Sequence, residues 1–357
     1  MKKDFRVLTI NPGNTSTKFG VFQGEEPMLL ETVRHSHEEL AVFPRVADQF
    51  EFRLNLVTRA VEQAGVSLDS LSAVVGRGGL LKPLAGGTYR VNLAMVEDLT
   101  AATRGEHASN LGAIIAFRLA ERLNIPAFIV DPVSVDEMDE VARLSGLPEL
   151  PRKSQSHALN MKAVARKVAR EMGRKYEEVN LVLAHLGSGI SVSPHRRGRM
   201  VDVNNALNEG PFSPERTGGL PAAELVRLCY SGKYTADQMM AKVIGSGGMF
   251  AYLGTKDMQE AVARAEAGDD QAALVLDAMA YQVAKEIGAM ATVLAGEVDR
   301  VVLTGGMAYA RYLTDRIIRR VKFIAPVVVV PGEEELPSLA QGALRVLRGE
   351  EETKNYS

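Results

Sequence analysis

Residues 5–22 read FRVLTINPGNTSTKFGVF, which predicts a strand, a turn and a returning strand. Residues 5–10 and 19–22 are apolar and β-branched, whereas those between them are turn formers or carry small hydroxyl side chains. The turn also offers what phosphate groups bind: backbone N–H donors, small residues, hydroxyls and a cation. The candidate phosphate ligands here are Asn11, Asn14, Thr15, Ser16 and Lys18. An ordinary hairpin turn is the alternative interpretation.

The same arrangement recurs further along the chain. Residues 180–186 predict a strand that ends in a glycine turn, and a returning strand follows at residues 190–194. This is a weak structural repeat without a fixed sequence period. A third glycine turn follows the predicted strand at residues 301–304. The candidate phosphate ligands in these two turns are His185, Gly187, Ser188, Gly189, Gly305 and Gly306. Three such turns fit one phosphate-rich ligand held between two domains.

Between the turns, helical and extended patterns alternate. The predicted helices are residues 54–64, 111–123, 157–172, 222–230, 236–243, 270–294 and 339–347. The further predicted strands are residues 28–33, 71–75, 127–130 and 326–330. This alternation predicts an α/β architecture, and the length of 357 residues suggests two domains. The polar tail, residues 350–357, is expected to fray.

The composition excludes several classes of protein. Lys and Arg total 42 against 44 Asp and Glu, so the basic balance of a nucleic-acid-binding protein is missing. The single cysteine, Cys229, excludes an internal disulfide and a cysteine-cluster metal site, and we expect it to be a core thiol. The start lacks the apolar segment of a signal peptide, and no apolar run is long enough to span a membrane. We therefore expect a soluble cytoplasmic protein.

Other phosphate-handling motifs are missing from the sequence. It has no Gly-x-x-x-x-Gly-Lys-Ser/Thr loop, no Gly-x-Gly-x-x-Gly fingerprint and none of the protein-kinase His-Arg-Asp and Asp-Phe-Gly elements. It also has no Gly-x-Ser-x-Gly nucleophile elbow. As a phosphate site, the three glycine turns would therefore be of another kind than these motifs.

Taken in order, five segments resemble the acetate and butyrate kinases, a family within the actin, hexokinase and heat-shock-70 ATPase superfamily. The segments are residues 10–18 (INPGNTSTK), 76–79 (GRGG), 185–189 (HLGSG), 215–219 (ERTGG) and 303–306 (LTGG). The first segment and the GRGGLLKP sequence at residues 76–83 resemble the butyrate kinases more than the acetate kinases. The resemblance covers nearly the whole chain.

The resemblance implies a two-domain, actin-like ATPase fold, a duplicated ribonuclease H-like fold with mixed sheets flanked by helices and the active site in the interdomain cleft. In the family the last helix returns to the first domain. Applied here, the first domain, on the side of the acid substrate, is residues 1–153 with 336–357. The second, nucleotide-binding domain is residues 154–335.

The implied reaction is a direct in-line transfer of the γ-phosphoryl group of ATP to a short-chain fatty acid, with butyrate favoured. The superfamily's sugar kinases and chaperones usually have an aspartate where this chain has Asn11. A hydroxyl substrate needs a base, whereas a carboxylate, with a reference pKa of about 4, arrives ionised. The alternatives are an isobutyrate, propionate or acetate kinase, or a non-enzymatic actin-like assembly or reactivating factor switched by ATP.

The resemblance also implies roles for charged residues. Arg216 matches the catalytic arginine, and Arg77 is a second candidate, for the substrate carboxylate. Asp131 matches an acid that helps to hold Mg²⁺, and Glu334 or Glu335 matches a second acid. The alternatives are a surface arginine for Arg216, a turn residue for Asp131 and a solvated run for the glutamates.

Two histidines and the adenosine side complete the implied site. His185 would face the phosphates, and His157 aligns with one of two family histidines, the other position being Lys153 here. Gly305 and Gly306 with the following helix would lie against adenine or ribose, near residues 255–257. Met249 and Phe250 are expected in the core rather than against the base. The expected partners are the small-molecule substrates and further copies of the same chain, since related kinases are homo-oligomers.

Overall fold

The predicted hairpin is present in the computed structural model of the chain, which describes residues 5–357. β1 (Arg6–Pro12) and β2 (Ser16–Gln23) pair antiparallel, with Asn11 opposite Lys18. β3 (Glu26–Arg34) continues the meander on the other side of β2. Apolar side chains alternate along β1, so that Leu8 and Ile10 enter one core.

Parallel strands extend this sheet from the free edge of β1. β4 (Ala73–Gly76) pairs parallel with β1, and β6 (Ala127–Val130) pairs parallel with β4. β5 (Thr88–Arg90) is antiparallel to β6, and β12 (Lys354–Asn355) pairs with β5. The strand order of the described sheet is therefore β12-β5-β6-β4-β1-β2-β3.

Helices cover this first sheet. They are α2 (Phe50–Gln63), α3 (Leu93–Ala101), α4 (Asn110–Leu123) and α12 (Glu335–Leu347). The short helix α1 (His37–Ala41) has no buried residues. Leu54 of α2 and Leu111 of α4 share a buried core with Leu8 and Ile10. α12 packs so closely on β6 that a Cβ atom at Gly342 would collide with Val130.

A second sheet repeats the order of the first. β7 (Asn180–Leu186), β8 (Ile190–Arg196) and β9 (Arg199–Met200) form an antiparallel meander. β10 (Arg300–Gly305) pairs parallel with β7, and β11 (Val327–Pro331) pairs parallel with β10. The order β11-β10-β7-β8-β9 matches β6-β4-β1-β2-β3 of the first sheet, which confirms the predicted structural repeat.

The helices of this second part include the longest one described. They are α5 (Ala158–Glu171), α6 (Ala222–Cys229), α7 (Ala236–Ile244), α8 (Gly248–Leu253), α9 (Met258–Glu266), α10 (Asp270–Val293) and α11 (Arg311–Val321). Val283 and Ile287 of α10 pack on Val182 and Val192 of the second sheet. Cys229 ends α6, a helix without buried residues, and it is exposed, so the prediction of a core thiol was wrong.

The chain forms two compact units. One runs to Val135 and resumes at Glu334–Ser357, and the other is Asp136–Glu333. The sequence analysis set these boundaries at residues 153 and 335. Residues 136–153 belong with the second unit because Asp139 N donates to Val201 O and Arg152 pairs with Asp202 at 2.9 Å.

The prediction that the tail frays was wrong. Lys354 and Asn355 form β12, and Tyr356 is buried with its O–H donating to Asp98 at 2.7 Å. Asn92 Nδ2 donates to the carbonyl of Tyr356 at 2.8 Å. Within residues 5–357, none of the helices combines the length and the apolar character needed to cross a bilayer.

Candidate active site

In the first unit, polar residues gather where parallel strands end. β1, β4 and β6 run in the same direction, so Asn11, Arg77 and Asp131 follow or close strands at the same edge of the sheet. The carboxyl ends of parallel strands are where α/β proteins bind ligands. The sequence analysis had assigned all three residues to the site.

The turn after β1 is tight and open to solvent. Gly13 N donates to Ser16 O at 2.7 Å and closes the hairpin. Asn14, Thr15 and Lys18 are exposed, while Ser16 is half-buried. The structure therefore unites the two interpretations of this segment: it is a hairpin turn, and its candidate phosphate ligands are accessible.

Asn11 and Arg77 share one carboxylate. Glu335, the first residue of α12, accepts a hydrogen bond from Asn11 Nδ2 on one oxygen and pairs with Arg77 Nη1 through the other. Arg77 Nη1 also lies 3.4 Å from Asn11 Oδ1. Both carboxylate oxygens of Glu335 are thus occupied by residues of the predicted site, whereas Glu334 is exposed at the N-cap of α12.

The glycines around Arg77 have a packing role. A Cβ atom at Gly76 would collide with the backbone of Gly112 in α4, and one at Gly79 would collide with Asn110. The strand end can approach the first turn of α4 only because these side chains are missing. These glycines therefore determine the position of Arg77 at the end of β4. The N–H of Arg77 donates a hydrogen bond to Ile10 O at 2.9 Å.

Asp131 is buried and conformationally unusual. Its side chain is 1% exposed, and its backbone φ of 39° lies in the left-handed region that non-glycine residues rarely adopt. Oδ1 accepts the N–H of Gly87 at 2.7 Å. Within residues 5–357 no group of three or more histidine, cysteine or acidic residues could hold a metal ion. Mg²⁺ needs only one or two carboxylates beside phosphate and water oxygens, so Asp131 suits that ion.

In the second unit, two histidines stack at the end of β7. The rings of His157 and His185 are 3.9 Å apart between centroids and inclined by only 11°. His185 Nδ1 donates to Asn160 Oδ1 at 2.8 Å, and His157 Nδ1 lies 3.0 Å from Ser191 Oγ. His185 Nε2 lies 3.0 Å from Glu333 Oε1, off the direction of a hydrogen bond. Asn160 thereby fixes the orientation of a ring that is itself 1% exposed.

Arg216 lies directly over the second glycine turn. A Cβ atom at Gly189 would collide with its guanidinium, and Arg216 Nη1 donates to Ala206 O at 3.0 Å. Its Nε is buried without a hydrogen-bond partner, and burial lowers the pKa of the side chain. Ser213 Oγ donates to the carbonyl of Ser188 at 2.5 Å, which joins the arginine loop to the turn. Ser188 itself is exposed.

The third turn closes against the second. Gly305 adopts a φ of 91°, and a Cβ atom there would collide with Leu186 at the end of β7. A Cβ atom at Gly306 would meet open space. The helix expected to follow Gly306 starts only at Arg311, as α11, after a 3-10 turn over Gly306–Tyr309.

The predicted adenosine-side residues are held by polar contacts. Thr255 Oγ1 donates to Glu260 at 2.6 Å, and Lys256 pairs with Glu215 at 2.8 Å. Met249 is fully buried, as predicted for a core residue, whereas Phe250 is half-buried below the Lys256 ammonium. Lys153 is exposed.

Three residues near these edges were missed by the sequence analysis. Arg53 of α2 is buried beneath the first turn, and Asn160 holds His185. His107 lies near Arg77, and partial burial with the charge of Arg77 lowers its pKa. Arg53 and Asn160 stand in helical patterns that carry no signal of a site. His107 stands beside Ser109 and Asn110 at a helix start, which was a usable signal.

Comparisons with known proteins show which sequences and folds this chain resembles. A family model described as the acetokinase family matches residues 149–328. The chain is 54% identical to Butyrate kinase 1 of Clostridium acetobutylicum over 353 residues, which cover 99% of each chain. Acetate kinase from Porphyromonas gingivalis has a similar crystal structure, with a TM-score of 0.76 at 19% identity over 96% of this chain and 100% of that one.

A propionate kinase from Francisella tularensis subsp. tularensis is also similar in structure. Its TM-score is 0.73 at 17% identity, over 95% of this chain and 98% of that one. These two structures confirm the predicted actin-like ATPase fold, an α/β fold with two mixed sheets flanked by helices.

Proposed function

The chain belongs to the acetokinase family, and from this premise we propose that it transfers the γ-phosphoryl group of ATP to a short-chain fatty acid, with butyrate as its best substrate. The observation that carries the proposal is the 54% identity to a butyrate kinase along 99% of both chains. The polar strand ends in each unit supply side chains of the kind that this reaction needs.

The reaction needs no base. A carboxylate oxygen of the acid attacks the γ-phosphorus, a new O–P bond forms, the bond to the bridging oxygen breaks, and ADP leaves. An acid with a reference pKa near 4 is already ionised at neutral pH, so no proton has to be removed. Asn11 suits this chemistry because its amide can orient neighbouring groups without accepting a proton.

Charge is the main obstacle, since an anion must approach a polyanion. Catalysis of phosphoryl transfer is mostly positioning and electrostatic stabilisation. We assign Arg216 to the transferring phosphoryl group, because its Nε has no partner and no carboxylate neutralises its guanidinium by direct contact within residues 5–357. Arg77 is assigned to the substrate carboxylate, with Glu335 and Asn11 fixing its fork.

Phosphate binding is assigned to the glycine turns. In the first unit Asn14, Thr15, Ser16 and Lys18 would contact phosphate oxygens. In the second unit the residues that would contact phosphate oxygens are His185, Gly187, Ser188, Gly189, Gly305 and Gly306. His157 acts by stacking on His185 and holding its ring in place.

Mg²⁺ is proposed to accompany ATP, with Asp131 as a protein ligand. When bound, it would neutralise phosphate charge. Of the two predicted glutamates, Glu334 keeps an exposed carboxylate, whereas Glu335 is engaged by Asn11 and Arg77. Glu334 is therefore the better second ligand.

We also propose that the chain is a homo-oligomer. Large apolar side chains are exposed at several positions of residues 220–252. They are Leu220, Val226, Tyr230, Met240 and Tyr252. Light scattering of the purified protein measures the number of subunits, and a monomer would contradict the proposal.

The decisive assay traps acyl phosphate with hydroxylamine while the acid is varied from acetate to valerate, including isobutyrate. We expect the highest kcat/KM with butyrate and lower values with its neighbours, because one methylene changes binding by only about 1–3 kcal/mol. A reaction mixture without the protein serves as the blank. A maximum at acetate would make the chain an acetate kinase. If none of the acids gave acyl phosphate, the proposed kinase activity would be refuted.

A further inference from the structure

Arg53 is buried beneath the first phosphate turn. The residue lies on α2, and its side chain is 1% exposed. Nη1 donates to Gly13 O at 2.8 Å and to Ser16 O at 3.2 Å, and Nη2 lies 3.4 Å from Asn14 O. One guanidinium therefore collects three carbonyl oxygens of a single turn.

The rest of the guanidinium is held by neutral groups. Its Nε and Nη2 both donate to Gln49 Oε1, at 3.1 and 2.8 Å, and Nη1 donates to Thr17 Oγ1 at 3.1 Å. No carboxylate pairs with Arg53 anywhere in residues 5–357. His35, which bonds Thr17 through Nε2, adds no negative charge, and burial followed by the charge of Arg53 lowers its pKa. Within residues 5–357, no carboxylate therefore neutralises the positive charge below the turn by direct contact.

Burial lowers the pKa of Arg53 to about 10, so the guanidinium stays charged at neutral pH. Taking a cation out of water without a carboxylate partner is costly, and proteins retain such groups where they are useful. Here the compensation comes from carbonyl dipoles, and an anion on the outer side of the turn would add to it.

The direction of the peptides shows what the turn offers on that outer side. In a trans peptide the N–H points opposite to the C=O. Because the carbonyls of Gly13 and Asn14 face Arg53, the N–H groups of Asn14 and Thr15 face away from it. Within residues 5–357 neither N–H donates a hydrogen bond, and both residues are exposed. Outward N–H groups in succession form the concave anion site known from phosphate-binding loops.

We propose that Arg53 is a positioning residue for phosphate binding: it holds the carbonyls of residues 13 and 14 inward, which keeps the N–H groups of Asn14 and Thr15 outward, and it places a positive charge behind them. This proposal rests on the proposed function for the identity of the anion, which is the γ-phosphate of ATP. Arg53 does not touch the nucleotide. Its effect passes through the turn.

The test compares binding of ADP with binding of AMP-PNP, which adds an analogue of the γ-phosphate. Arg53→Met should weaken AMP-PNP by about tenfold or more and ADP by less than about threefold, since the proposed ligand of the turn is the γ-phosphate, which ADP lacks. Arg59→Met is the matched control, because it removes the same charge from the exposed side of the same helix. It should leave both dissociation constants unchanged. A general loss of structure would weaken the binding of both nucleotides alike. The ratio of the two dissociation constants, ADP over AMP-PNP, therefore isolates the positioning role.

Two further proteins keep the test informative if Arg53→Met folds poorly. Arg53→Lys keeps the charge but cannot reach three carbonyls at once. We therefore expect its preference for AMP-PNP over ADP to lie between those of the wild-type protein and Arg53→Met. Arg53→Ala should regain AMP-PNP binding when guanidinium ion is added at millimolar concentration, and Arg59→Ala should not respond. A folded Arg53 variant with the wild-type ratio would overturn the proposal.

The two proposals can fail separately. If the wild-type protein made no acyl phosphate while its preference for AMP-PNP over ADP depended on Arg53, the substrate assignment would be lost and the positioning role retained. If acyl phosphate formed and the ratio were unchanged in Arg53→Met, only the positioning role would be lost.

Discussion

Arg216 combines the features of a phosphoryl-binding group at the scale of a single side chain. It is half-buried, its Nε has no partner, and it lies against a glycine that leaves room for it. We predict that Arg216→Lys lowers kcat by about two to three orders of magnitude, because an ammonium cannot bind two oxygens in a planar fork. The KM for the acid should change far less.

Steady-state kinetics with butyrate and ATP measure this effect, and a melting curve checks the fold. Arg227→Lys is the control, since Arg227 is exposed on α6 and, among residues 5–357, its one ion-pair partner is the neighbouring Glu224. Near-normal kcat in the Arg216 variant would remove that arginine from the reaction.

His195 links stability to pH. The residue is fully buried, its Nδ1 lies 2.6 Å from Tyr176 Oη, and its Nε2 has no hydrogen-bond partner in the described part of the chain. Burial, with smaller contributions from the charges of Lys162 and Arg166, lowers its pKa well below 6.5. The unfolded chain therefore binds a proton near pH 6.5 that the folded chain does not bind, and stability falls as the pH drops below that value.

The expected loss is up to about 1.4 kcal/mol for each pH unit below 6.5. His195→Gln can still accept a hydrogen bond from Tyr176 but does not titrate, so we predict a shallower fall in the free energy of unfolding between pH 7 and pH 5. Urea titrations at several pH values measure it. Some slope remains from His35, whose pKa is also lowered. Identical slopes in the two proteins would contradict this account.

At the scale of elements, sequence patterns correctly predicted the strands and helices that their own residues determine. The strands on both sides of the first two glycine turns were placed correctly, because β-branched and apolar runs bounded by turn formers leave few alternatives. α4 and α5 were also found within one or two residues, since their apolar residues recur at helical spacing.

Elements that depend on distant partners were missed. β12 has only two residues, and it exists because β5 lies beside it, more than 260 residues earlier in the chain. The helix α3 was also absent from the prediction, although Asn92 caps it by accepting from Met95 N at 3.0 Å. The polar residues around β12 do not show in the sequence whether the segment pairs with a distant strand.

The residues of the candidate site also differ in whether local sequence could predict them. The glycine turns and Arg216 were recognised from contiguous motifs. The carboxylate that joins Asn11 and Arg77 was identified only as one of two glutamates, because its pairing spans 258 residues. Arg53 could not be found at all, since an arginine in an amphipathic helix is usually a solvated one, and only the fold turns it inward.

At the scale of the whole molecule, the chain path makes the two units unequal. Residues 136–333 form one continuous segment that contains all of β7 to β11 and a complete core from Val182 to Ala325. The other unit is discontinuous: α12 packs on β1 and β6, and β12 pairs with β5, so its sheet is incomplete without the last 24 residues.

We therefore predict that residues 136–333 fold on their own, because a unit with its own core needs no other part of the chain for its hydrophobic burial. Residues 5–135 alone should not fold, whereas the same segment joined by a linker to residues 334–357 should. Circular dichroism and thermal melting of the three fragments test this. A cooperative melt of residues 5–135 without α12 would contradict it, since the face of the sheet around Val130 would then be stable while uncovered.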